Sequence, residues 1–108
     1  MSSWKIAFHP QAKKEFADLQ MDIKAKFARI FGLVDQFGLD ALQMPYARPL
    51  RGKIWEMRAS GKDGIARSLY AVSSGRTIYI LACFVKKVQQ TPPQKIDLAK
   101  RRLLDLED

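Results

Sequence analysis

Two adjacent lysines, Lys86 and Lys87, close a run of apolar residues at 77–85. That run is rich in β-branched and aromatic types and apolar at both parities, as a strand buried on both faces requires. Arg58 and Arg67 fall in the two preceding segments that also read as strands. Cations gathered on a rigid sheet suit a phosphate, whose oxygens match the planar fork of a guanidinium. Such a set could cut RNA without a metal. The 2′-hydroxyl attacks its own phosphate once a base removes its proton, and fixed positive charge stabilises the pentavalent dianion. A lysine can be that base where neighbouring cations lower its pKa, and Lys86 beside Lys87 is such an arrangement. The plainer alternative is a lysine pair that ends a strand and guards the sheet against aggregation.

The arginines have the same two readings. Ile54, Glu56 and Arg58 share one face of a strand, opposite Trp55 and Met57, while Arg67 shares a face with Leu69 and Ala71. An arginine among core-forming residues is costly unless it is paired or reaches solvent. Arg58 could therefore be bridged to Glu56 or Asp63, or be aimed at a phosphate. Cys83, the one cysteine, lies inside the apolar strand and reads as a small buried hydrophobe. His9, beside Pro10, reads as a helix-entry residue, not as part of a catalytic triad. One histidine, one cysteine and scattered acids fit no metal-ligand spacing. The six glycines are spread out as turn residues and form no phosphate-binding loop. No metal or cofactor is expected.

The chain that must position these residues is 108 residues long, enough for one domain spanning 1–108. With 47% hydrophobic and 28% charged residues it is globular in composition. Its net charge of +8 is uneven: residues 48–102 hold 13 bases against 3 acids. A positive field of this kind favours a polyanionic partner, although a solvated basic surface would look the same. The N-terminus lacks an apolar signal core, and the run at 78–85 is too short to span a bilayer. A cytoplasmic protein without membrane contact is expected.

Along the chain, residues 4–8 alternate as a short strand, and Ala12, Phe16 and Leu19 follow helical spacing. A second helix is predicted from about Asp22, a plausible N-cap, with Ile23, Phe27, Ile30 and Val34 on one stripe and Gly38 as its stop. Residues 44–52 read as a connection punctuated by proline and glycine. Strands are predicted at 54–58, 67–72 and 77–85, with short turns at 61–64 and 73–75 that imply antiparallel pairing. Thr91, Pro92 and Gln94 have the spacing of a capping box, and Ile96, Ala99, Leu103 and Leu106 give the last helix an apolar face. The predicted order is β-α-α-β-β-β-α, an α+β fold with strand 77–85 at its centre.

In order along the chain, Pro49-Leu50-Arg51-Gly52, Ile54-Trp55-Glu56-Met57-Arg58, Arg67-Ser68-Leu69-Tyr70, Phe84-Val85-Lys86-Lys87 and Thr91-Pro92 resemble the RelE/HigB toxin superfamily. The similarity is greatest to its phage-derived HigB-like branch. It extends over nearly the whole chain, including Phe8-His9-Pro10-Gln11-Ala12. The resemblance implies a RelE-like fold, a twisted antiparallel sheet flanked by an N-terminal helical hairpin and a C-terminal helix. It also implies the toxin of a type II toxin–antitoxin pair, an endoribonuclease (mRNA interferase) that inhibits translation by cutting mRNA in the ribosomal A site.

The family keeps an arginine at the position of Arg67, a base at Lys86-Lys87 and a further basic residue at Arg58. These four are the expected catalytic residues, with Arg48, Arg51, Lys53 and Thr91 as RNA contacts. Where the best-studied branch carries lysines, this chain has Ile54 and Glu56, which makes Glu56 a lower-ranked candidate base. The aromatic that stacks on RNA in that branch is also missing, since only Gln89, Gln90 and Thr91 follow the last strand. The implied partners are the ribosome, mRNA and a cognate antitoxin with a helix-turn-helix DNA-binding domain. Two alternatives stay open: a ParE-like DNA gyrase poison that acts by binding, and a degenerate member that only pairs with its antitoxin.

Overall fold

Nine segments in the computed structural model, which describes residues 4–42, 47–62, 64–73, 75–86 and 90–106, build a sheet covered on both faces; of Lys86 it describes the backbone. In chain order they are β1 (Lys5–Phe8), α1 (Pro10–Ala17), α2 (Met21–Phe37), a 3-10 turn (Gly38–Ala41), β2 (Ala47–Arg51), β3 (Ile54–Gly61), β4 (Gly64–Val72), β5 (Thr77–Lys86) and α3 (Pro93–Leu106). The sheet order is β1-β5-β4-β3-β2. Neighbours from β2 to β5 are antiparallel, and β1 joins β5 in parallel, so the sheet is mixed. The α+β class is as predicted. β5 lies inside the sheet, between β1 and β4, while the middle position belongs to β4.

On one face lies the helical hairpin. The predicted stripe Ile23, Phe27, Ile30 and Val34 is buried against Met57, Ala59, Ala66, Tyr70, Ile78 and Ile80. Phe8, Phe16, Phe27 and Phe31 form a connected ring cluster with centroids 5.2 to 6.4 Å apart. On the other face, Ala99 and Leu103 of α3 pack on Ile54, Leu69, Ala71, Leu81 and Ala82. Both layers are needed because interior strands of this sheet are apolar at both parities.

Three local predictions need correction. Residues 47–51, read as part of an irregular connection, form an edge strand. Pro49 is tolerated there because an edge strand need not donate on both sides, and the register shifts between Pro49 and Arg51. Gly52, at φ 57°, then makes the turn into β3. The second correction concerns Asp22, which is no N-cap. Gln20 holds that position without a capping bond from its side chain, and the Asp22 carboxylate accepts the backbone N–H of Lys62 at 2.6 Å and of Ile23 at 2.9 Å. The α2 start thus grips the β3–β4 hairpin, where a Cβ on Gly61 would lie 2.5 Å from Ile23. Third, α3 begins at Pro93, and the Pro92 carbonyl accepts from Lys95 N–H at 2.9 Å. The Thr91 hydroxyl is turned elsewhere, so the capping box does not form.

β1 reaches only as far as Ile80 along β5. Beyond it, side chains serve the backbone of β5. Arg102 of α3 donates to Leu81 O at 2.8 Å, and Glu15 of α1 accepts from Cys83 N–H at 3.1 Å. The two side chains pair with each other through both carboxylate oxygens at 2.9 Å. Burial alone would raise the Glu15 carboxyl, but its hydrogen bonds from Arg102 and Cys83 outweigh that and hold its pKa below the usual value. His9 caps α1 by accepting from Gln11 N–H at 3.1 Å, and its Nε2 meets Asp105 at 2.9 Å. Its helix-entry role is the one predicted.

Candidate functional site

Strand register brings the first members of the site together. Arg48 on β2 lies directly across from Glu56 on β3, and Arg58 directly across from Arg67 on β4. Directly opposed residues project to the same face, and diagonal neighbours are within reach of long side chains. Glu56 therefore stands between two arginines. Its carboxylate accepts from Arg48 Nε at 2.6 Å and from Arg67 Nη1 at 2.7 and 2.5 Å. Thr91, from the segment that enters α3, donates its hydroxyl to Glu56 and accepts from Arg67 Nη1 at 3.0 Å.

The cluster is closed. Glu56 and Arg67 are 0% exposed and Thr91 is 7% exposed, so of these groups only Arg48 reaches solvent substantially. Burial pushes the Glu56 carboxyl upward, but hydrogen bonds from Arg67, Thr91 and Arg48 more than offset it, and its pKa falls below the ordinary value. Glu56 is thus an ionised acceptor already surrounded by donors, a poor proton acceptor at neutral pH. Two guanidiniums against one carboxylate leave the group with one net positive charge. The sequence allows Glu56 or Asp63 as a partner for Arg58; in the structure the partners of Glu56 are Arg67, Arg48 and Thr91, and Asp63 lies outside the described residues.

The other expected site residues are dispersed. Arg58 is half-buried beside Arg67. Arg51 and Lys53 are exposed at the β2–β3 turn, at the far end of β3 from Arg58. That is roughly 13 Å along the strand, at about 3.3 Å per residue. The Lys86 backbone ends β5 opposite Ile65, two residues past Phe84, the register partner of Arg67. Lys87 lies outside the described residues. Lys95, which no motif in the sequence singles out, sits in the first turn of α3 with its ammonium 5.1 Å from the centre of the Phe84 ring. Its position one turn into a helix gave no hint of that neighbour. Cys83 is buried against Ser68 at 3.2 Å, and burial pushes its thiol pKa up to about 11. Among the described residues no group of His, Cys, Asp and Glu is arranged to hold a metal, and no helix is long and apolar enough to cross a membrane.

No relative among the curated proteins matches the chain. Among solved structures it is similar to a mutant of the Escherichia coli toxin RelE in the free state, at TM-score 0.66 and 14% identity. That match covers 95% of this chain and 99% of the other. It is also similar to the archaeal RelE–RelB complex from Pyrococcus horikoshii OT3, at TM-score 0.59 and 18% identity, over 81% of this chain and 99% of that one. The fold is therefore that of RelE, as the resemblance implied. A family model for phage-derived Gp49-like proteins matches residues 14–104, most of the chain, so the protein belongs to the phage-derived Gp49-like family.

Proposed function

We propose that this protein is the toxin of a toxin–antitoxin pair and acts as a ribosome-dependent mRNA endoribonuclease that shuts down translation. The observation that carries the reading is the RelE fold over 95% of the chain, with Arg48, Arg58 and Arg67 of three adjacent strands on one face of the sheet. The antitoxin arm is supported by the similarity to a RelE chain solved with RelB.

In the proposed chemistry the scissile phosphate rests near Arg58, with Arg48 and Lys95 on the flanking backbone. Lys86 and Lys87 exchange protons with the 2′-hydroxyl and the leaving oxygen. The 2′-oxygen bonds to phosphorus, the 5′-oxygen leaves with a proton, and a cyclic phosphate remains. Arg67 supplies positive charge from beneath and, through Glu56 and Thr91, fixes the sheet to the segment that enters α3. Arg51 and Lys53 lie far enough away to guide the RNA chain.

A second reading has an observation of its own. Glu56 neutralises much of the charge on Arg67, which is what a member that has lost catalysis and keeps only its antitoxin would tolerate. Expression of the chain alone separates these readings. An active nuclease stops growth, cuts ribosome-bound mRNA within codons and leaves DNA supercoiling normal. Intact mRNA with trapped gyrase–DNA complexes would establish a gyrase poison, and unimpaired growth a degenerate member.

A further inference from the structure

A cleft of about 430 Å³ opens between α2 and the Arg58–Ser60 end of β3. Its floor is apolar, from Ile30, Leu33 and Ile65, and Lys26, Arg29 and Arg58 stand around it. Lys26, Arg29 and Leu33 follow at i, i+3 and i+7 along one side of α2, bordering Ile30, which belongs to the stripe that faces the core. Ile65 is 40% exposed although it is a large apolar side chain. Among the described residues Arg29 and Arg58 form no ion pair with a carboxylate, while Lys26 acts on Asp22, whose pKa is held below its usual value chiefly by the Lys62 N–H and in smaller part by the Lys26 charge. Asp22, one turn before Lys26, commits its oxygens to the N–H groups of Lys62 and Ile23.

We propose that this cleft docks an acidic amphipathic segment of a partner protein, with apolar side chains on Leu33 and Ile65 and carboxylates on the three cations. The mixture decides against RNA as the occupant. A phosphate backbone needs the cations but leaves the aliphatic floor without a partner, whereas an amphipathic segment uses both. In identifying the partner as the antitoxin the proposal rests on the toxin–antitoxin reading.

The test is calorimetric titration of the chain with the purified products of the two flanking genes. The Lys26→Glu/Arg29→Glu double variant changes exposed residues only, so it should fold, which circular dichroism checks. It should weaken the complex at least tenfold. Lys13→Glu/Lys14→Glu makes the same charge change on exposed residues of α1 and should leave the Kd within about twofold. Leu33→Ala should weaken the complex several-fold without changing its salt dependence. A complex indifferent to Lys26→Glu/Arg29→Glu, or equally weakened by the α1 control, overturns the docking site while the antitoxin reading stands. Failure of the unaltered chain to bind either product overturns both. In parallel, a fluorescent single-stranded RNA 20-mer is titrated. If the cleft variant loses RNA affinity and keeps its protein partner, the cleft belongs to RNA and the proposal fails.

Discussion

Glu56 is the residue on which most of the site depends. Taking its charge away leaves the Arg67 guanidinium buried without its counter-ion, a change that costs about 3–5 kcal/mol in comparable buried pairs. Glu56→Gln should therefore lower stability by that order at pH 7, measured by denaturant unfolding, whereas Arg58→Ala should change it little. The pH dependence has a definite sign. Folded Glu56 and Glu15 have pKa values below those of the unfolded chain. Their stabilisation is fully present above the ordinary glutamate value and is lost as pH falls through the lower folded values. Acid unfolding followed by circular dichroism should show that loss below about pH 4, the unfolded glutamate range, and Glu56→Gln should flatten it. Cys83, with its pKa near 11, should resist thiol reagents at pH 8 until the chain unfolds; rapid labelling of the native protein would contradict its burial. At this scale the sequence showed which residue types matter but not their partners. Glu56 and Arg67 are eleven positions apart, and parity placed each on a face without saying which faces would meet.

Among the elements, those with strong periodicity were legible. The stripe of α2, the Gly38 stop, β3 to β5 and the apolar face of α3 all follow from spacing. β2 was not, because Pro49 and Gly52 punctuate it and only pairing with β3 makes five such residues a strand. Nor was the parallel joining of β1 to β5, since nothing local encodes a partner some seventy residues away. Thr91 had every local feature of a helix cap, yet a buried carboxylate competed for its hydroxyl and won. One close junction between elements is Gly61 beneath Ile23. Gly61→Ala would force the start of α2 off the β3–β4 hairpin, and overpacking of this kind costs about 1–3 kcal/mol. Equilibrium unfolding measures it, and a Gly61→Ala protein as stable as the original would show that α2 is free to shift.

For the molecule as a whole, with its net charge of +8, the proposed RNA binding would be a matter of ions released. If Arg48, Arg58 and Lys95 each neutralise one phosphate, the logarithm of the affinity for single-stranded RNA should fall with the logarithm of salt at a slope of about −2. Arg58→Ala should make that slope shallower by roughly 0.7, whereas an unchanged slope would place the RNA elsewhere. The same sheet must also avoid joining other sheets. β1 leaves part of β5 bare, and an unpaired strand flank is a template on which another chain can grow. Here the bare stretch is occupied by Glu15 and Arg102, which bond its backbone and each other. Arg102→Ala should accordingly scatter more light on mild warming than a surface change of equal thermal stability; equal scattering would mean the flank was never at risk. An intruding strand would have to evict two ion-paired side chains and lift the helix that carries one of them, so in this molecule a salt bridge works as the selvedge of the sheet.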